Sequence, residues 1–119
     1  VSVDLEHDRW TATEPEKGYI RARVRLTTTE QGGRRIPLSS GYRAQWAFPS
    51  HLHQDNLDAP LTLEGPRTLG PGEETIARLH PLFPELWPSI EPRLRLSMLE
   101  GSRLVGVADV IEIVPRTAL

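Results

Sequence analysis

The stretch Tyr19-Ile20-Arg21-Ala22-Arg23-Val24-Arg25-Leu26-Thr27-Thr28 decides how the rest of the chain is read. Ile20, Ala22, Val24 and Leu26 alternate with Arg21, Arg23, Arg25 and Thr27. That is the period of two of a half-buried strand, with one face in the core and the arginines in water. The threonines at 27–29 extend the β-favouring chemistry, and Gln31-Gly32-Gly33 ends it.

Outward from this strand, the same signal recurs. Residues 42–48 predict a second, aromatic strand stopped by Pro49, and residues 61–63 a short, edge-like strand closed by Gly65-Pro66. Gly70-Pro71-Gly72 marks a turn, after which residues 75–79 alternate again. Residues 93–99 place Leu94, Leu96 and Met98 on one face. Glu100-Gly101-Ser102-Arg103 reads as a tight hairpin turn, and residues 104–114 as a last strand ended by Pro115. Between them, residues 81–92 hold Pro81, Pro84, Pro88 and Pro92 around Leu82, Phe83, Leu86, Trp87 and Ile90. Prolines at that density forbid a long helix and a central strand, leaving a rigid loop with room for one helical turn. Residues 1–18 form a polar leading arm in which Val1, Val3 and Leu5 indicate at most a short strand; 19–115 is the globular unit and 116–119 a tail. Six short strands and no convincing helix predict an all-β domain, a small closed barrel or a sandwich.

Composition sets the outer limits. A chain of 119 residues, 38% hydrophobic and 25% charged, is one small globular domain. With no cysteine it has no disulfide, thiolate metal site or cysteine nucleophile. Its apolar runs are too short to span a bilayer and its start carries no leader pattern, so a cytoplasmic protein without membrane contact is the expectation. The net charge of -2 and pI near 6.1 speak against a general nucleic-acid binder. Thirteen arginines stand against a single lysine, Lys17. A GC-rich coding bias explains that excess most simply, but the planar bidentate donors of arginine make its clusters worth following.

One segment carries a specific pattern: Gly32-Gly33-Arg34-Arg35-Ile36-Pro37-Leu38-Ser39-Ser40-Gly41-Tyr42-Arg43-Ala44-Gln45-Trp46. It resembles the C-terminal β-barrel of elongation factor Tu, where Gly-Gly-Arg-His-x-Pro leads into Gly-Tyr-Arg-Pro-Gln-Phe. Leu69-Gly70-Pro71-Gly72-Glu73 is similar to that domain's Met-Pro-Gly-Asp turn, and Glu100-Gly101-Ser102-Arg103-Leu104-Val105-Gly106 to its Glu-Gly-Gly-Arg-Thr-Val-Gly hairpin. The three blocks fall in the family's order and span about residues 19–114. The resemblance implies a six-stranded antiparallel Greek-key β-barrel. Arg35, Leu38, Ala44, Ser102 and Ala108 depart from the residues usual in the family, and the loop 81–92 looks longer than its counterpart. No Gly-x-x-x-x-Gly-Lys-Ser/Thr occurs in these 119 residues, so the chain resembles one module of a translation GTPase without its G-domain.

In the family this barrel packs on the G-domain and touches the T-stem of aminoacyl-tRNA. The resemblance carries these contacts to Arg34, Gln45, Glu100 and Gly101, which alternatively serve only to stabilise turns. Arg21, Arg23 and Arg25 repeat at about 6.8 Å, close to the phosphate step of a nucleic-acid strand, and are either an RNA-backbone stripe or a solvated face paired to glutamates. Arg93 and Arg95 form a shorter stripe. Phe83, Leu86 and Trp87 either pack back over a barrel end or present a rigid apolar docking surface. His51, His53 and Asp55 have strand-like ligand spacing, but flanking Pro49 and Asn56 and the missing thiolates favour a surface loop, and no metal or other cofactor is expected. Ser39, Ser40 and Ser50 lack a nucleophile-elbow context and no carboxylate pair stands out, so an enzyme is not expected.

Three roles follow from these residues. The first is a non-catalytic binding module for tRNA, another RNA or a translation-related protein such as a GTPase. The second is a protein-interaction domain unrelated to translation, docking through loop 81–92. The third is a detached counterpart of the elongation-factor barrel that competes for its partners. None requires a nucleotide. The phosphate cradle needs a glycine-rich loop at a helix N-terminus and its lysine, whereas Lys17 lies in the polar arm. Calorimetry should therefore show no tight magnesium-dependent GTP binding to the purified chain; a saturable heat would contradict this reading.

Overall fold

The computed structural model describes residues 4–49 and 57–117. Its centre is a closed barrel of six antiparallel strands in the order β1-β6-β4-β3-β7-β8, built from β1 (Tyr19–Leu26), β3 (Arg43–Ala47), β4 (Leu57–Leu63), β6 (Glu74–Leu79), β7 (Arg95–Glu100) and β8 (Arg103–Val114). β3, β4 and β6 follow one another and β1 returns beside β6, which is a Greek key. A separate two-stranded ribbon joins β2 (Leu38–Ser39) to β5 (Thr68–Leu69). Among the described residues no helix is long and apolar enough to cross a membrane.

The inward positions alternate as the sequence pattern requires. Ile20, Ala22, Val24 and Leu26 are all buried, while Arg23 and Arg25 are exposed. A six-stranded barrel has a narrow bore, so small residues meet across neighbouring strands, Ala22 opposite Ala77 and Ala44 opposite Ala59, while Ala108 makes room for Leu96 opposite it. The space they leave is filled by Trp46, Leu61, Leu79, Leu96 and Met98. Trp46 is fully buried and its indole N–H donates to the Ala59 carbonyl at 3.0 Å, so the largest core residue leaves no orphan donor.

Several expectations are corrected. The leading arm is helical, not extended: α1 spans Leu5–Thr11 and α2 spans Glu14–Lys17, with Leu5 exposed on α1. The Asp4 side chain caps α1 by accepting from the His7 amide at 3.0 Å, acidic Glu6 and Asp8 follow in the first turn, and Trp10 is its buried anchor. Val1 and Val3 lie outside the described residues. β1 stops at Leu26 because the Thr28 hydroxyl accepts from the Gln31 amide and caps a 3₁₀ turn over Thr29–Gln31. Gly33 then passes so close to the Thr27 carbonyl that a Cβ would stand 2.2 Å from its oxygen. The segment read as an edge-like strand at 61–63 is a seven-residue barrel strand lying between β3 and β6. Pro60 masked its first half; the residue is nevertheless fully buried, and its carbonyl accepts from the His80 amide at 2.8 Å. Arg93 is left-handed (φ 75), so β7 starts later than the alternation suggests. Loop 81–92 carries one 3₁₀ turn, Pro84–Leu86.

Glu14 fastens α2 to the barrel. Its Oε1 accepts from the Arg78 guanidinium at 2.8 Å, and its Oε2 lies 3.8 Å from Nδ1 of His80. His80 is buried, with Nε2 3.0 Å from the Thr62 hydroxyl. Burial, helped by the charges of Arg78 and His7, pushes the His80 imidazole down to about 4. The unfolded state therefore binds a proton that the native state refuses, and His80 makes stability fall as pH drops from about 6.5 towards 4, by on the order of 3 kcal/mol. Burial raises the Glu14 carboxyl against the pull of Arg78, which acts in the opposite sense at the acid end. Urea unfolding followed from pH 7 to pH 4 should show the histidine slope, and His80→Gln should flatten it; an equal slope in the variant would assign the loss elsewhere.

Candidate functional site

The two mouths of the barrel differ in chemistry. One is formed by the end of β1, the β7–β8 turn and the start of β3, the other by the start of β1, the end of β8 and loop 81–92. The first mouth gathers arginines. Tyr42 and Glu100 continue the inward-facing series of Ala44–Trp46 and Leu96–Met98, so their side chains meet where the barrel opens. The Tyr42 hydroxyl donates to Glu100 Oε2 at 2.5 Å, and Arg34 donates to the same oxygen. Arg103 donates to Oε1 at 3.2 Å. The Arg34 guanidinium lies 4.6 Å from the Tyr42 ring centroid, and its Nε donates to the Ile36 carbonyl at 3.1 Å. Thr29 holds the Arg34 backbone through its hydroxyl, at 2.7 Å.

Gly101 opens the two-residue turn between Glu100 and Arg103 with φ 63, a conformation that favours glycine. Arg34, Arg35, Ile36, Glu100 and Arg103 line an open pocket of about 320 Å³. Two guanidiniums, those of Arg34 and Arg103, thus hold one carboxylate while Arg35 lines the same pocket, and the fold brings Arg34, Glu100 and Gly101 to one mouth. Gln45 lies on β3 opposite Leu99, next to the cluster in the ladder but not in the pocket lining. Tyr42, Arg35 and Arg103 join the site without a sequence pattern that marks them, except that Arg103 stands across a tight turn from Glu100.

The Arg21, Arg23 and Arg25 stripe faces outward, but acids interleave it. Arg21 is tied to Glu64 by bonds of 2.9 and 3.2 Å and stands 3.9 Å from Glu112. Arg23 is opposite Asp109, itself held by Arg95 at 2.7 and 3.0 Å, and Arg25 is opposite Glu74. At the other mouth, loop 81–92 divides its apolar side chains. Trp87 packs edge-on to Phe48 at 5.8 Å, whereas Phe83 and Leu86 are 59% and 64% exposed. His51, His53 and Asp55 lie outside the described residues. No protein-family model matches this chain.

Burial and the hydrogen bond to Glu100 push the Tyr42 phenol up to about 12. Partial burial works against ionisation of Glu100, but the Tyr42 hydroxyl, Arg34 and Arg103 outweigh it and hold the carboxyl below its ordinary range. The cluster's contribution is therefore complete above the ordinary glutamate range and lost as pH falls through the depressed value. Ultraviolet titration should resolve Tyr42 as a phenol ionising near 12. Glu100→Gln should move it downward, because the negative charge is gone and an amide oxygen is the weaker acceptor; an unmoved phenol would show that burial alone sets it.

Proposed function

We propose that the chain is a non-catalytic binding module whose arginine-rich mouth contacts an RNA backbone. The observation that carries this reading is the open pocket lined by Arg34, Arg35 and Arg103 with Glu100 as its one carboxylate. Guanidiniums offer bidentate donors to phosphate oxygens, and the exposed Arg103 keeps most of its donors in water. Arg34 is already stacked on Tyr42 and held by Glu100, so it orients the mouth, while Arg35 and Arg103 supply the reach. Arg23 and Arg25 run along β1 towards this mouth and extend its positive path, whereas Arg21 is engaged by Glu64. The similarity of these blocks to the tRNA-contacting barrel of elongation factor Tu supports RNA over other polyanions.

A second reading, protein docking through loop 81–92, is favoured by one specific observation. Phe83 and Leu86 are exposed on a segment that four prolines hold rigid, so a partner would meet them at low ordering cost.

Fluorescence anisotropy with a labelled tRNA at several salt concentrations tests the first reading. The double change Arg35→Gln and Arg103→Gln should leave the barrel folded, since both side chains are outside the core, and should lower the salt-dependence slope by up to about two. Unchanged binding in the double variant, or no binding by the parent chain at low salt, would overturn it.

A further inference from the structure

The mouth opposite the arginines holds an unfinished piece of sheet. β8 runs twelve residues, but β7 pairs with it only from Arg95 opposite Asp109, and the loop bonds that continue the ladder stop at Val110, which exchanges bonds with Arg93 and Leu94. Residues 112–114 pair along one edge with β1, Ile111 is the bulged residue before them, and among the described residues the other edge of 111–114 meets no backbone partner. Beside them lies an apolar groove of about 210 Å³ whose lining includes Tyr19, Pro84, Trp87, Ile90, Ile113 and Lys17. Ile111 and Ile113 are 38% and 40% exposed, and Phe83 and Leu86 stand on the same loop that walls the groove.

Two properties say what would fit. An open strand edge next to an apolar trough suits an extended chain, which bonds through its backbone and places alternate side chains in the trough. Lys17 is the charged residue in that lining among the described residues, and its ammonium spends one of three donors on the Leu82 carbonyl at 3.3 Å. The remaining donors face solvent, and an anion in the trough would complement their charge.

We propose that this groove receives an extended segment of a partner protein, alternating in apolar side chains and bearing a carboxylate, which adds as a strand to residues 111–114 of β8 and pairs with Lys17. The inference rests on the second reading above, docking through loop 81–92, and supplies its partner chemistry. Four residues of open edge are too few to template aggregation but enough to fix the register of one short guest.

The test uses the whole chain and a blocked hexapeptide alternating isoleucine and threonine with one glutamate. The same peptide with lysine in place of glutamate, and one methylated on alternate backbone nitrogens, serve as controls. Binding is read from Trp87 fluorescence and from protection of Lys17, the chain's only lysine, against acetylation. The glutamate peptide should bind below about 1 mM, protect Lys17, and exceed the lysine peptide by roughly two- to fivefold. Lys17→Glu should reverse that preference, Ile113→Thr should weaken both peptides, and methylation on the face towards β8 should abolish binding. Because Lys17 is exposed and Ile113 lies outside the core, both variants are expected to fold. Equal binding of the two charged peptides, or of the methylated one, would overturn the acidic-strand occupant while leaving docking at this loop standing. If Phe83→Ser with Leu86→Ser also leaves every peptide's affinity unchanged, or no peptide binds, the docking reading falls with it.

Discussion

Everything in this molecule hangs on β1 being hydrogen-bonded along both edges. It pairs with β6 over residues 20–25 and with β8 over residues 19–26, and those two ladders close the sheet on itself. Closure gives each of the six strands a neighbour on both sides without covering helices, leaving only the end of β8 bonded on one side, and it narrows the bore until only alternating small and large residues fit inside. Ala22, Ala44, Ala59, Ala77 and Ala108 are the consequence, and the fully buried Trp46 is what their small size makes room for. The register of the β1–β8 ladder slips between Arg21 and Ala22, where Ile111 is the extra residue on β8. Past that slip β8 outruns β7, which is why the barrel ends in a strand bonded on one side.

The closed wall forces functional chemistry to the two ends. Side chains of inward parity reach solvent only at a mouth, and Tyr42 and Glu100 show what happens there. A phenol and a carboxylate that would be intolerable deep in the bore become the floor on which Arg34 and Arg103 are set. The opposite mouth is closed by the proline-rich loop, of which Trp87 and Ile90 are packed against the core and Phe83 and Leu86 are not. One end is thus polar and positively biased, the other apolar with a single ammonium at its groove.

On the barrel wall, long-range pairing decides which charges are available. Glu64 serves two arginines, Arg21 and Arg78, and Asp109 accepts two bonds from the Arg95 guanidinium. The arginine stripe that looks uniform along β1 is therefore uneven in the fold, with Arg21 engaged and Arg23 and Arg25 exposed. Glu14 does the same for the arm: by reaching Arg78 on β6 it converts a polar leader into a helical clamp against the barrel.

By itself the sequence determined whatever depends on neighbours a few residues apart. Alternation in residues 19–26 specified a strand and its faces, and Gly101 between Glu100 and Arg103 specified a hairpin. The prolines of 81–92 excluded a regular element there. These are local constraints of backbone geometry and side-chain period, so a linear string carries them. Only the tertiary structure decided the rest. Pro60 sits inside a barrel strand because closure supplies the pairing its own segment does not advertise. The arm is helical because Asp4 caps it and Trp10 and Glu14 find partners on the barrel. Arg34, Tyr42, Glu100 and Arg103 became one cluster because β3, β7 and β8 end at the same mouth, a coincidence of strand length and register that no local pattern encodes.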